Sequence, residues 1–427
     1  MVTANYNEKG EHFHLNKLET GTLMDFTYKG AKMKGVLVSR SEGNLNIKLL
    51  SGYNLLVPVN SISDIKAVET IAQHEGTEEK NLILEQGPKK VAFIGTGGTI
   101  ASRVDYITGA VKPVLNPGFL RESVSNLSKF TLDISLLEAV LSENITPEDW
   151  ILFARTVKDK LSKNQGAVIL HGTDTMSYTA SALSFMFQSL SGPLVLIGSQ
   201  RSSDRPSSDA FLNLEAGLEF ASSNFGEVGI AMHQNTSDNA VALHRGVRAR
   251  KMHSSRRDAF RTIGGHPIGK YEDGSVTISP DARALSDETV LLDKLETSVA
   301  LVYFHPGLTA DDFAAITEKK RATVIMGTGL GHTGTRLYSV IKGIVERGDH
   351  VLMTTQCLFG GVNMNVYSTG RELLKLGVTP LSNMLPEVAM IKAMHVLANY
   401  PEEEFSKIMH SNLRGEIVDR EFLWEAK

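Results

Sequence analysis

Cysteine is nearly absent. Cys357 stands alone in 427 residues, which excludes a disulfide framework and any zinc site built on cysteine. A positive excess is missing too. The chain carries 44 Lys and Arg against 48 Asp and Glu, for a net charge of −4. Stand-alone binding to a nucleic-acid backbone needs a clear basic excess. No window reaches the length and apolarity of a membrane span. The opening stretch MVTANYNEKGEHFH has no apolar h-region, so the expected compartment is the cytoplasm. Internal repeats and low-complexity tracts are also lacking. What is left is an ordinary globular composition, 42% hydrophobic and 22% charged. The length suggests roughly two or three domains.

The rest of the chain is organised around VAFIGTGGTIASR, Val91 to Arg103. Val91-Ala92-Phe93-Ile94 reads as a strand buried on both faces. Gly95-Thr96-Gly97-Gly98 then permits a tight turn, and Thr99 follows at the carboxyl end of the strand, where open α/β sheets bind ligands. A phosphate-binding turn fits poorly. No lysine follows the glycines as a P-loop requires, and Ile100 stands where a dinucleotide fingerprint needs its third glycine. A threonine presented by such a turn reads better as a nucleophile or an oxyanion contact.

Residues 1 to about 85 have a different texture. Short apolar runs at Leu23–Tyr28, Met33–Val38, Leu45–Leu50 and Leu55–Val59 alternate with Gly30, Gly35, Gly43 and Gly52. That pattern predicts a small β-barrel, SH3-like in size. A polar linker follows, broken at Gln86-Gly87-Pro88. From Lys89 onward strands and helices alternate, which predicts a parallel sheet. Thr146-Pro147-Glu148-Asp149 is a helix start with a capping-box pair, and Trp150, Ala154, Val157 and Leu161 share one helical face. Further strands are expected at Ala167–Leu170, Leu194–Ile197, Val228–Met232 and Ala240–Leu243. Tyr271 to Thr297 is charged and turn-rich, the expected crossing into a second α/β lobe. That lobe has strands at Val299–His305, Thr323–Met326 and Val351–Thr354, and a helix within Leu381–Asn399 that starts near Pro386. The expected domains are 1–85, 86–285 and 286–427.

Two further stretches can carry chemistry. His171-Gly172-Thr173-Asp174-Thr175 directly follows the strand Ala167–Leu170 and precedes a helical pattern. Thr and Asp there are good helix caps, but two turns ending in Thr on neighbouring strands favour a functional role. His244 to Arg261 holds seven Lys or Arg and one Asp. A basic run usually marks a solvated face or a nucleic-acid patch. Lys251 within it, aimed at two threonines, can stabilise a threonine alkoxide or accept its proton, as in Ser/Lys and Thr variants of the catalytic triad.

The segments GTGGTIAS, HGTDTMSYTA and GVRARKMHSS, in that order, resemble the bacterial-type asparaginase/glutaminase family. The resemblance runs from about Lys89 to Ala398 and includes GTGLGHT at Gly327 to Thr333. It implies two α/β domains with the site at the carboxyl edge of the larger sheet, often completed by a neighbouring subunit. Thr99 resembles the family's first catalytic Thr, the nucleophile, and Tyr106 its flexible-loop tyrosine. Thr173, Asp174 and Lys251 resemble its proton-handling Thr, Asp and Lys. Ser142-Glu143-Asn144 resembles its substrate clamp, with Glu143 where asparaginases commonly carry Gln. Asp174 and Glu143 would then pair with a substrate ammonium. Ser142 and the turn N–H groups at Gly98 and Gly172 would hold its carboxylate.

The N-terminal barrel is one that a simple hydrolase does not need. It makes the chain similar to the branch that serves archaeal-type glutamyl-tRNA(Gln) amidotransferases. That branch implies release of ammonia from glutamine with no cofactor in this chain. It also implies a tRNA-binding partner, the E subunit of such enzymes, that uses ATP and Mg, and a homodimer within a heterotetramer. The competing expectation is a stand-alone cytoplasmic asparaginase or glutaminase; a non-catalytic module is disfavoured because Thr99, Thr173, Asp174 and Lys251 are all present.

Overall fold

A computed structural model of the chain describes residues 18–41, 43–49, 54–70, 81–84, 87–97, 102–104, 111–113, 127–137, 140–203 and 207–422. Its centre is a nine-stranded sheet. From edge to edge the strands are Ser275–Ile278, Gly269–Glu272, Ala240–Arg245, Val228–His233, Leu194–Ile197, Gly166–Leu170, Lys89–Gly95, Phe130–Leu136 and Asn81–Leu84. The five from Val228–His233 through Phe130–Leu136 run parallel. The outer strands on both sides run antiparallel.

The apolar runs explain the central strands. Because side chains alternate across a pleat, each run feeds two cores. Ala92, Ile94, Ala167, Ile169, Leu194 and Leu196 face the helices Pro147–Leu161 and Met176–Met186. Val91, Phe93, Val168, Leu170, Val195 and Ile197 face the helix Ala210–Ala221. The helix Pro147–Leu161 starts as its sequence predicts: the Asp149 carboxylate accepts from the Thr146 backbone N–H at 2.8 Å and from its hydroxyl at 3.0 Å.

The second lobe is a four-stranded parallel sheet in chain order, Val299–Tyr303, Ala322–Gly327, His350–Thr355 and Thr379–Pro380. Its helix Pro386–Asn399 packs into the same core as Met176–Met186, which joins the lobes. Residues 18–70 form a five-stranded antiparallel sheet of their own. Its order is Asn54–Pro58, Asn44–Leu49, Ala31–Ser41, Thr22–Tyr28 and Ile62–Thr70, over a core that includes Met24, Phe26, Leu37, Ile47 and Val57.

Two expectations need correction, and one strand had none. The strand Asn81–Leu84 lies before the expected boundary at 85/86 yet pairs with Phe130–Leu136, so the large sheet begins earlier. Gly269–Glu272 and Ser275–Ile278 form a hairpin on that sheet that overlaps the start of the stretch Tyr271 to Thr297 read as an inter-lobe crossing. Asp273 (φ 49°) and Gly274 (φ 76°) make its tight turn, and Asp-Gly is the matching sequence signal. The fifth strand of the N-terminal sheet, Ile62–Thr70, escapes simple alternation because its pairing shifts register twice along the strand and Asp64 adopts φ 50°.

Candidate active site

Parallel strands bring their carboxyl ends to one edge of the large sheet, and the turn that carries Thr173 and Asp174 follows one of them. Gly97 adopts φ 104°, a backbone that only glycine takes without strain. Thr96 staples the edge: its N–H and its hydroxyl both donate to Leu170 O, at 3.3 and 2.6 Å. Its own carbonyl accepts from Val140 N at 3.1 Å. Sequence reasoning passed over Thr96, although its place inside the glycine turn was a usable signal.

Thr173, Asp174 and Lys251 come together. Lys251 Nζ donates to Thr173 Oγ1 at 2.8 Å and to Asp174 Oδ1 at 2.8 Å. A two-stranded ladder aims the lysine: Ala249–Lys251 pairs with Phe260–Thr262, Lys251 opposite Phe260. Thr173 is buried. The Lys251 side chain is 13% exposed and that of Asp174 69%. Solvent screens the ion pair at Asp174, while the bond to Thr173 sits in the dry part of the site. Ser142 is buried in the short turn Ser142–Asn144, and Thr175 Oγ1 donates to its carbonyl at 2.6 Å. A Cβ at Gly172 would fall 2.6 Å from Ser142 Cβ, so Ser142 lies directly against the Gly172 backbone. Glu143, beside it, is exposed.

His171 was not foreseen as part of the site. It is fully buried. Trp150 Nε1 can only donate, and does so to Thr179 Oγ1 at 3.0 Å. The Thr179 hydroxyl is therefore free to donate to His171 Nε2 at 2.8 Å. The ring proton then sits on Nδ1 and goes to Gly172 O at 2.6 Å. Burial lowers the His171 pKa to about 4, against a raising effect of the Gly172 carbonyl. A neutral ring thus fixes the carbonyl next to Thr173. No sequence rule separates such a histidine from an ordinary core residue.

The cations of the basic run are paired within the chain. Arg245 reaches Glu227 at 2.7 Å, Arg250 Glu387 at 3.6 Å, and Arg256 Asp258 at 2.9 Å. Arg257 and Arg261 reach Asp238 and Asp258, each at 2.5 Å. Arg248, buried, donates to the carbonyls of Ile263, Asn383 and Glu416. With Lys251 on Thr173 and Asp174, every cation of the run has a partner within this chain.

Thr99, Gly98 and Tyr106 lie outside the described residues. Ser102–Val104 and Val111–Pro113 pair antiparallel on either side of the segment that carries Tyr106. Among the described residues, no group of three or more His, Cys, Asp or Glu is placed to hold a metal. No helix there is long and apolar enough to cross a membrane.

Known proteins match most of the chain. The family model described as "Asparaginase, N-terminal" matches residues 90–283, and "Glutaminase/Asparaginase C-terminal domain" matches 298–409. The D subunit of the glutamyl-tRNA(Gln) amidotransferase from Thermoplasma volcanium is 47% identical over 93% of this chain and 97% of its own. The protein of the same name from Saccharolobus solfataricus is 42% identical over 98% of this chain and 97% of its own. Among solved structures, the thermostable L-asparaginase from Thermococcus kodakarensis is 32% identical with a TM-score of 0.71, and covers 77% of this chain and 99% of its own.

Proposed function

The chain belongs to the asparaginase/glutaminase family, and from that premise we propose that it is the glutamine-hydrolysing subunit of a glutamyl-tRNA(Gln) amidotransferase. One observation carries the choice within the family. The asparaginase is matched over nearly its whole length but leaves nearly a quarter of this chain unmatched, whereas the two amidotransferase relatives match almost end to end. What this chain shares with them beyond the hydrolase core is the N-terminal part, which we read as a small SH3-like barrel. A stand-alone cytoplasmic asparaginase has no evident use for it.

In the reaction we assign, glutamine sits at the carboxyl edge of the large sheet. Its ammonium faces Asp174 and Glu143; its carboxylate faces Ser142 and the glycine-turn N–H groups of Gly98 and Gly172. Thr99 attacks the side-chain carbonyl, the C–N bond breaks, and ammonia leaves. Water then cleaves the acyl-enzyme to glutamate. Thr173 and Lys251 move the proton, a role supported by their 2.8 Å hydrogen bond, and Tyr106 assists the nucleophile. In the assembly we propose, a homodimer of this chain joins the tRNA-binding E subunit in a heterotetramer in the cytoplasm. That partner activates Glu-tRNA(Gln) with ATP and Mg and receives the ammonia; this chain needs no cofactor of its own.

An ammonia donor for a tRNA reaction should idle until its acceptor is present, since free turnover wastes glutamine. Partner binding can favour the reactive form of the site only by its differential affinity for that form. A tenfold activation needs about 1.4 kcal/mol of such preference. The test is glutamine hydrolysis by the chain alone, with the tRNA-binding partner, and with that partner plus Glu-tRNA(Gln). The expected rates rise in that order. Equal rates in all three, without Gln-tRNA(Gln) formed, would return the chain to the stand-alone hydrolases.

A further inference from the structure

Thr173 lies in the turn after the strand Gly166–Leu170 and Lys251 ends the strand Ala249–Lys251, yet Lys251 Nζ stands 2.8 Å from Thr173 Oγ1. Behind the site runs a chain of hydrogen bonds and close contacts that touches the surroundings of both. At one end is Gly198, just past the strand Leu194–Ile197. A Cβ there would lie 2.7 Å from His171 O and 3.0 Å from Thr173 Cγ2, so this backbone is pressed against the threonine. Asn213 Nδ2 donates to Gly198 O at 3.0 Å and to Asp209 Oδ2 at 3.2 Å. The Asp209 carboxylate in turn accepts from Gln200 N and Arg201 N at 3.0 to 3.1 Å. The strand end is therefore gripped at three backbone positions by two side chains with 0% exposure.

The amide of Asn213 has one allowed orientation. Turned over, its oxygen would face the Gly198 carbonyl and the Asp209 carboxylate, both acceptors. Its oxygen thus accepts from His233 Nδ1, at 2.6 Å. The other ring nitrogen of His233 faces Asp238 Oδ1 at 3.2 Å; it donates there only when the ring is protonated, and burial favours the neutral ring, for which this is a polar contact without a hydrogen bond. Arg257 binds the same carboxylate oxygen and the carbonyl of Thr236. Arg257 lies in the loop between Lys251 and its ladder partner Phe260, which Met252 N closes onto Ala259 O at 2.7 Å. The chain therefore begins against Thr173 and ends in the loop that sets Lys251.

We propose that Asp209, Asn213, His233, Asp238 and Arg257 are positioning residues, a brace of hydrogen bonds and polar contacts along the carboxyl edge of the sheet that fixes the separation of Thr173 from Lys251. It rests on the hydrolytic role of that pair, and none of the five needs to touch substrate. A brace differs from a merely stabilising network in its kinetic signature. Misplacing a reacting group by about 1 Å can cost as much as roughly 100-fold in rate, while substrate affinity, set by other residues, stays.

The experiment measures kcat and KM for glutamine in the full chain assembled with its partner, for Asn213→Ala, Asp238→Ala, Arg257→Ala and Arg257→Lys, with Lys251→Ala alongside. The brace predicts that Asp238→Ala and Arg257→Ala lower kcat by roughly 10- to 100-fold. KM should stay within about twofold of the parent on the same principle, and Arg257→Lys should recover part of the loss. Asn213→Ala should behave alike; if that buried variant fails to fold, the two rim variants decide. Parent-like kcat in both, with Lys251→Ala inactive, overturns the brace and leaves the hydrolytic reading standing. A fall in melting temperature with kcat unchanged also overturns it, as stabilisation alone. Full activity in Lys251→Ala removes the hydrolytic reading and the brace with it.

Discussion

Lys251 is one of seven cations in an eighteen-residue stretch, and charge alone does not single it out. The structure does so by what each cation meets: the arginines meet carboxylates or carbonyls, while Lys251 meets a buried hydroxyl. Lys251→Ala or Thr173→Val should therefore lower glutamine turnover by roughly 10²–10⁴-fold, the usual size of a lost proton-transfer group. Far-UV circular dichroism and melting should stay close to the parent, and near-normal turnover would mean that another group takes the proton. The buried histidines make a separate prediction. Burial holds His171 and His395 near pKa 4 and His244 near 3, below the ordinary 6.5. At pH 7 folded and unfolded chains both hold them neutral. As pH falls from 6.5 toward 4 the unfolded chain takes up protons that the folded chain refuses, so stability drops. Each residue costs roughly 2 kcal/mol by pH 5. Denaturant midpoints at pH 7.5 and pH 5 should differ accordingly, and His395→Leu should flatten that difference; an unchanged slope would show that His395 titrates normally in the fold. The histidine effect was not legible in the sequence, because a histidine's burial is a tertiary fact.

The central strands were legible because they are buried on both faces and so read as unbroken apolar runs. Their carboxyl ends were legible because glycine and threonine break the runs there. Elements that depend on a partner strand were not. The hairpin Gly269–Ile278 hid in a charged stretch despite its Asp-Gly turn, and Ile62–Thr70 hid behind its register shifts. The site's local frame shows the same dependence on neighbours. Gly172 has no Cβ, and Ser142 fills the place where one would stand, 2.6 Å from Ser142 Cβ. Gly172→Ala should push the Ser142 turn outward, at roughly 1–3 kcal/mol of stability for the overpacking. If Ser142 holds the substrate carboxylate, KM for glutamine should rise well beyond the parent's while Lys251 stays on Thr173. A parent-like KM would remove Ser142 from the binding group.

At the scale of the whole molecule, the end of the chain ties the lobes together. Arg414 donates to Ser184 O in the large lobe at 2.8 Å, Arg248 of that lobe donates to Glu416 O at 3.1 Å, and Glu416 pairs with fully buried Lys392 of the second lobe at 2.7 Å. The start of the chain raises the opposite question, where the N-terminal unit can be cut. A boundary at 85/86 follows from composition, yet Leu84 is buried in the core beneath the large sheet and pairs with Leu132, and Leu82 pairs with Ile134. A chain starting at residue 81 should keep the nine-stranded sheet whole, melt cooperatively near the parent's temperature, and hydrolyse glutamine. A chain starting at residue 87 loses that edge strand. Exposing Leu132 and Ile134 and losing buried Leu84 should cost roughly 2–3 kcal/mol for each well-buried side chain uncovered, and the bare edge of Phe130–Leu136 invites association between copies. Melting and light scattering of the two truncations separate the cases. Equal stability and solubility would mean that Asn81–Leu84 contributes nothing to the large sheet. If the longer truncation folds and hydrolyses glutamine but fails to support amidation of Glu-tRNA(Gln), the N-terminal sheet serves the assembly, not the hydrolysis.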